Sequence, residues 1–286
     1  MKLETKEQVN FSPEKGLLIE RFSLNQRLQH ILIFVTFIIC AATGLPIKYA
    51  SATWAPKVVS FFGGFSTMFY IHVISGVVMT LTFLYHFIYL AGYAYLKGPS
   101  LDFLPKWKDI LDFIQNIKYN LGLSDTPPDY DRYSYKEKFD YWAVFWGIPI
   151  MAGSGFMMWY LDITAKYIPR WIIDCAQVAH SDEAMLAISA IFIWHFYNVH
   201  LSPDFFPMNL VWFDGKMSKT VMEHEHPGEL REIMDELTYK EELDDDIEDP
   251  TSFKFTKSRF LIVIEILFYL AVLAWFLKKF LPIGFM

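Results

Sequence analysis

Cysteine is nearly absent from this chain: Cys40 and Cys175 are the only two among 286 residues. One lies inside an apolar run and the other in an expected loop, so they build neither a disulfide framework nor a zinc site. No C-x-x-C-H occurs, so any haem here is held by coordination alone. Charge is also scarce, at 20% of residues against 53% hydrophobic and 18% aromatic, where a soluble domain carries about 25% charged residues. The net charge is −7, and no basic patch is available to track phosphates, which excludes a nucleic-acid binder. The opening MKLETKEQVNFSPEKGLLIERF carries Glu4, Glu7, Glu14 and Glu20 without an apolar core and small-residue cleavage site, so no cleaved signal peptide is expected. No internal repeat is evident, which gives little support to a transporter built from duplicated halves.

What the chain does have is long apolar runs. Uncharged stretches at 28–47, 58–96, 141–161 and 184–203 each reach the roughly 17–25 residues that carry a helix across a ~30 Å hydrocarbon core. A fifth, 260–277, holds only Glu265. These runs exclude a soluble enzyme and a disordered chain, and the reading is an all-α integral membrane bundle. Its core is four spans at about 28–48, 66–96, 140–161 and 183–203 within a domain 1–227. An acidic cytoplasmic linker, 228–256, and a fifth C-terminal helix in 257–286 follow.

Basic residues set the orientation. Segments 1–27, 97–138 and 205–259 hold 5, 7 and 7 Lys or Arg, against two each in 48–65, 162–182 and 278–286. The positive-inside rule then puts the N-terminus in the cytoplasm and the C-terminus outside. Between spans two and three, Trp107, Ile110, Leu111, Phe113, Ile114, Ile117 and Tyr119 follow helical spacing, as either a helix on the membrane surface or a packed connector would. Pro203 and Pro207 are expected to end span four. In EELDDDIED (241–249) seven of nine residues are acidic, which reads first as a solvated tail and second as a docking surface.

The histidines carry the chemistry. Six of eight, His30, His72, His86, His180, His195 and His200, lie in or at the ends of spans one, two and four. An ionisable side chain in a membrane helix is costly and faces a partner inside the bundle, and imidazole is the common axial ligand of haem iron. His72 and His86 are 14 residues apart, which is ~21 Å along a helix with a return to within about 40° of one face. His180 and His195 are 15 apart, ~22 Å with about 60° of rotation. Spans two and four run in the same direction, so His72 aligns with His180 and His86 with His195, as two bis-histidine haems stacked across the bilayer require. On an ideal α-helix His200 is turned about 140° from His195, so the two cannot serve one iron. Either His30 replaces His86 opposite His195, or His30, His86, His195 and His200 together supply two haems.

Weaker features surround these. Gly44, Gly76, Gly153 and Gly155 would admit a porphyrin to the backbone or serve helix packing. Arg21, Arg27 and Lys48 are suited to haem propionates but are also ordinary span-flanking cations. His224 and His226, beside Glu223 and Glu225, read as surface residues.

The runs RFSLNQRLQHILIFVTFIICAATGLPIKY, FYIHVISG, KFDYWAVFWGIPIMAGSG, HFYNVHLSPDFFPMN and FDGKMS resemble the membrane cytochrome b subunits of respiratory oxidoreductases, the formate dehydrogenase gamma, Ni,Fe-hydrogenase b-type cytochrome and thiosulfate reductase cytochrome b group. The resemblance covers roughly 20–227, with R-x-x-H (Arg27 to His30) and T-G-L-P (Thr43 to Pro46) its most specific parts. It implies an inner-membrane protein of bacteria or archaea that holds two haems b, exchanges electrons with menaquinone or ubiquinone, and anchors an iron–sulfur or cytochrome c partner. The implied pairs are His72 with His180 and His30 with His195. His86 and His200 depart from that pattern and admit a third haem, the His72/His86 spacing being similar to that in the cytochrome b of quinol:cytochrome c reductases. The quinone is expected near His30, Arg27 and His195. No catalytic residue is expected, and the substrate of the whole complex belongs to a partner. A reading of different class is a proton or metal transporter whose histidines relay protons or bind ions.

Overall fold

A computed structural model describes residues 9–12, 16–97, 101–202, 206 and 208–244. The expected fifth span with Glu265, residues 245–249 of the acidic run, and Pro203 and Pro207 lie outside the described residues. Contacts divide the chain into two units, Met1–Thr238 and Tyr239–Met286. Of the second, only 239–244 are described, as helix.

Four helices are long and apolar enough to cross a membrane. The first, α1 (Leu24–Lys48), starts where Ser23 accepts from the Gln26 amide and the Gln26 side chain caps back onto Ser23, so two of the unpaired amides of a helix start are satisfied. A short α2 (Ala55–Phe61), with Pro56 in its first turn, and the left-handed Gly63 and Gly64 (φ 82° and 103°) turn the chain into α3 (Phe65–Lys97). After α4 (Trp107–Asn120), a capping box of Ser134 and Glu137 opens α5 (Tyr135–Trp159). The short α6 (Leu161–Tyr167), about two turns long, leads to α7 (Arg170–Ala190). That helix continues through two π-helical turns, Ile191–His195 and Tyr197–Leu201. Helix α1 packs on α3, α3 on α5, α5 on α7, and α7 on α1. Each neighbour runs opposite to the last, as in an up-down-up-down bundle.

Span four is longer than its uncharged run. It begins at Arg170, and Cys175, expected in a loop, sits on the helix. Asp174, Asp182 and Glu183 had interrupted the apolar count. Asp182 is paired with Lys48 at 2.9 Å and Asp174 lies near Arg170 at 3.7 Å, so two of these charges are answered at the end of the bundle.

The exposed surface of the spans is apolar, with Ile38, Leu84, Ile88, Phe192 and Ile193 all exposed, as lipid contact requires. Helix α4 is likewise inside out. Trp107, Ile110, Leu111 and Ile114 are exposed, while Asp109 receives Lys138 at 2.6 Å and Asn116 donates to Tyr135 at 2.8 Å. Polar contacts inward and apolar ones outward suit the membrane-surface alternative better than a packed connector.

A small cap has the opposite polarity. Strands β1 (Val9–Ser12), β2 (Gly16–Glu20) and β3 (Lys216–Ser218) form an antiparallel sheet in that order, which the all-α reading did not contain. With α8 (Val211–Asp214), α9 (Lys219–Glu225) and α10 (Pro227–Asp244), it buries Ile19, Val211, Met217, Met222, Leu230 and Ile233. The first part of the expected linker, 228–244, is therefore helical, and its apolar face explains why: Leu230 and Ile233 are three apart and share one side.

The cap is tied to the spans by buried charge. Arg21, whose side chain is 2% exposed, pairs with Glu229 and lies 3.6 Å from Glu137. Arg132 reaches the other Glu229 oxygen at 2.5 Å. His226, expected at the surface, is 4% exposed; its Nδ1 donates to the Asp131 carbonyl at 2.9 Å and its Nε2 is 3.7 Å from Glu137. His224 is exposed. Glu229→Gln leaves two guanidiniums without their shared anion and should cost about 3 kcal/mol, the low end for breaking a buried pair, read as a lowered unfolding midpoint in detergent. Burial holds His226 below the usual imidazole range, against the pull of Glu137. An imidazole with a depressed folded pKa contributes stability that is present above its unfolded value, about 6.5, and is lost as pH falls. Unfolding in detergent should therefore become easier below about pH 6.5, and His226→Gln should flatten that slope.

Candidate functional site

The helical ring brings five of the six span histidines into two layers, and gives His72, His180 and His195 a hydrogen-bonding partner on the next helix. In the first layer His72 on α3 faces His180 on α7, with ring centroids 6.2 Å apart. Thr43 on α1 stands 2.9 Å from His72 Nδ1 and Ser154 on α5 stands 3.0 Å from His180 Nδ1. Each hydroxyl has one hydrogen, and each directs it to its own helix: Thr43 to the Ile39 carbonyl and Ser154 to the Ile150 carbonyl, both at 2.6 Å. The hydroxyl oxygens must then accept from Nδ1–H. The Met151 carbonyl, also near His180 Nδ1 at 3.1 Å, imposes the same tautomer. Both rings thus carry their proton on Nδ1 and keep the Nε2 lone pair.

The glycines beside those hydroxyls make room for the rings. A Cβ on Gly44 would lie 3.1 Å from His72 Cε1, and one on Gly155 would lie 3.1 Å from His180 Cε1. Gly76 and Gly153 meet nothing within 4 Å, so neither lets two helices approach. The dipeptides Thr43-Gly44 and Ser154-Gly155 do the same work on alternate helices, a hydroxyl to orient an imidazole and an absent Cβ to seat it.

The second layer lies toward the start of α1. His30 faces His195 with centroids 6.4 Å apart, and His195 Nδ1 is 2.9 Å from Asp140 on α5. His200 comes close as well: His30 interacts electrostatically with both His195 and His200. The expected 140° divergence assumed an α-helix. The segment is π-helical, and i to i+5 bonding brings residues five apart toward one side. His200 is 9% exposed, stacked edge-on to Phe196 at 5.0 Å, and its Nδ1 has no partner among the described residues.

His86 is used differently. Its Nδ1 meets Gln29 Oε1 at 2.9 Å and its Nε2 meets the Tyr141 hydroxyl at 3.1 Å. Gln29 in turn donates to Asn25, and Asn25 donates to Tyr85 at 2.8 Å. The donors all point one way, from Tyr141 through His86 to Tyr85, so both ring nitrogens are engaged. Of the cations, Arg21 is committed to the cap, Lys48 to Asp182 and Ser181, and Arg27 donates to the Phe213 carbonyl at 2.5 Å.

Unpartnered polar atoms gather at this end. Arg27 Nε, His200 Nδ1, Ser202 Oγ and Trp212 Nε1 are buried with no partner among the described residues, and Trp212 reaches His30 through Phe34 at ring distances of 5.6 and 5.8 Å. Buried polar atoms are nearly always paired, so a cluster of exceptions marks a place built for something polar. Among the described residues no three His, Cys, Asp or Glu side chains converge as a metal cage. The histidines come instead in facing pairs. With about 2 Å from metal to nitrogen and about 1 Å from nitrogen to centroid, two imidazoles on opposite sides of one metal have centroids roughly 6 Å apart, which both pairs match.

Ser154, Asp140, Gln29 and Tyr141 are not singled out by the sequence, and Thr43 enters there only as part of the T-G-L-P run. The repeated hydroxyl–glycine dipeptide and the lone acid at the head of span three were the signals available. Gly44→Val should push His72 off this geometry and lower the unfolding midpoint in detergent, whereas Gly76→Ala, where nothing lies within 4 Å, should leave that midpoint in place.

No curated protein matches the chain at a significant level. A family of membrane cytochromes does match it, over residues 21–203, from Arg21 of the ion cluster to just beyond His200, and so across both histidine layers. The chain belongs to the prokaryotic cytochrome b561 family, and is a multi-pass b-type cytochrome of the electron-transfer kind.

Proposed function

We propose that this chain is the di-haem membrane subunit of a respiratory oxidoreductase, passing electrons between the quinone pool and a partner redox subunit of the iron–sulfur or cytochrome c kind. The observation that carries the reading is the pair of facing imidazoles in each layer, His72 with His180 at 6.2 Å and His30 with His195 at 6.4 Å. In three of the four rings Nδ1 is bonded to a neighbouring helix and Nε2 is left for iron. A haem so held supplies one-electron chemistry between ferric and ferrous iron. The chain supplies fixed ligands and, behind His72, His180 and His195, the hydrogen bonds that tune the potential.

The layers are separated by the 15 residues between His180 and His195 on one helix, ~22 Å of rise, so electrons would cross the bilayer in two stations. Engagement of both His86 nitrogens supports two haems rather than three. On this reading the quinone binds at the end of the bundle that holds His30, Arg27 and His195, supported by the atoms of Arg27, His200, Ser202 and Trp212 that have no partner among the described residues and would offer a headgroup its hydrogen bonds. On the distribution of basic residues that end faces the cytoplasm, in the inner membrane of a bacterium or archaeon. The transporter reading fits facing pairs less well, since ion relays need a continuous path and the pairs are discrete.

The purified protein should show reduced-minus-oxidised bands of low-spin b-type haem at two per chain. His72→Ala and His195→Ala should each lose about one, and His86→Ala none. Absence of haem bands from the folded chain would end the electron-transfer reading, and a ratio of three would return His86 and His200 to the ligand set.

A further inference from the structure

The two layers differ in what stands behind their rings. Behind His72 and His180 are the hydroxyls of Thr43 and Ser154, which are neutral. Behind His195 is the carboxylate of Asp140, its side chain 22% exposed against 24% for the imidazole. No Lys or Arg pairs with Asp140 among the described residues, and the nearby Lys138 is held by Asp109 at 2.6 Å. The acids near the first layer do not play the same part. Asp182 is paired with Lys48, and Glu183 lies against Gly147 without a bond to either ring.

Resting on the bis-histidine reading above, we infer that Asp140 splits the two iron sites in potential: the His30–His195 site is the lower, and an electron entering the chain settles at His72–His180. The carboxylate draws the Nδ1 proton toward itself and makes Nε2 a stronger donor, as carboxylate partners do for metal-bound imidazole. It also leaves a negative charge on the far side of the ring. Both effects favour the ferric state, because reduction adds one electron at iron and removes one positive charge, with no bond or proton exchanged. The hydroxyls polarise their rings less, since hydrogen bonds to an ionised acceptor are roughly twice as strong as neutral ones. Away from bulk water the charge is poorly screened, so its effect reaches the iron.

The test is a potentiometric titration of the full-length purified chain, followed at the haem bands, with haem content measured in parallel. The unmodified chain should titrate in two one-electron steps. Asp140→Asn keeps the size and one acceptor oxygen, and should keep both haems, raise the lower step and leave the upper one in place. Thr43→Val should move the upper step alone. A single unsplit step in the unmodified chain overturns the inference, as do unmoved midpoints in Asp140→Asn at full haem content. If the Asn variant loses haem, Thr43→Val decides: a shift confined to the lower step overturns the assignment and one confined to the upper step supports it. An unmodified chain without haem bands overturns the bis-histidine reading itself, which the other outcomes leave standing.

Discussion

An imidazole N–H inside a bilayer must find a partner within the protein, and that one requirement organises this bundle. Water is absent, so an unpaired donor is expensive. His72, His180 and His195 each give Nδ1–H to a group on the adjacent helix: a threonine on α1, a serine and an aspartate on α5. The bond locks the tautomer, leaves Nε2 with its lone pair and ties the register of one helix to the next. Glycine placement follows from the same need, because a ring bonded that closely to Thr43 or Ser154 occupies the space a Cβ on Gly44 or Gly155 would fill.

Polar side chains are sorted by depth. The layer of Thr43 and Ser154 is spare, with only hydroxyls against the rings. The other layer is crowded with His86, Gln29, Asn25, Tyr85, Tyr141 and Asp140, and with buried donors that have no partner among the described residues. The two ends of the bundle thus differ sharply in how many polar groups stand beside the imidazoles. The π-helical turns belong to the second end. They bring His200 round to His195 at the price of two poorer turns of helix, and such irregularities concentrate at functional sites.

Two kinds of interior meet at Arg21. Within the spans the outer surface is apolar and the inside carries the polar groups, whereas the cap of β1–β3 and α8–α10 buries methionine, leucine and isoleucine. The seam is an ion cluster of Arg21, Arg132, Glu137, Glu229 and His226 that joins segments more than 200 residues apart. Since Arg21 lies nine residues before His30, the start of α1 is anchored by the same charges that seat the cap.

Sequence alone determined the four spans, their alternation, the histidines at 14 and 15 residues, and the absence of covalent haem attachment, because hydropathy and helical rise are local properties. It also pointed to a b-type membrane cytochrome through Arg27, His30 and the Thr43 to Pro46 run. It could not decide which imidazole meets which. That His86 bonds Gln29 and Tyr141, that Asp140 stands behind His195, and that His226 is buried depend on contacts between helices far apart in the chain. The rotation of His200 depended on a departure from α-helical winding. Such departures arise where packing outweighs local hydrogen-bond geometry, and no periodicity in the residues records them. The start of span four escapes the sequence for the same reason: Asp174, Asp182 and Glu183 look like breaks in an apolar run until Lys48, 134 residues from Asp182 in the chain, is seen to answer one of them.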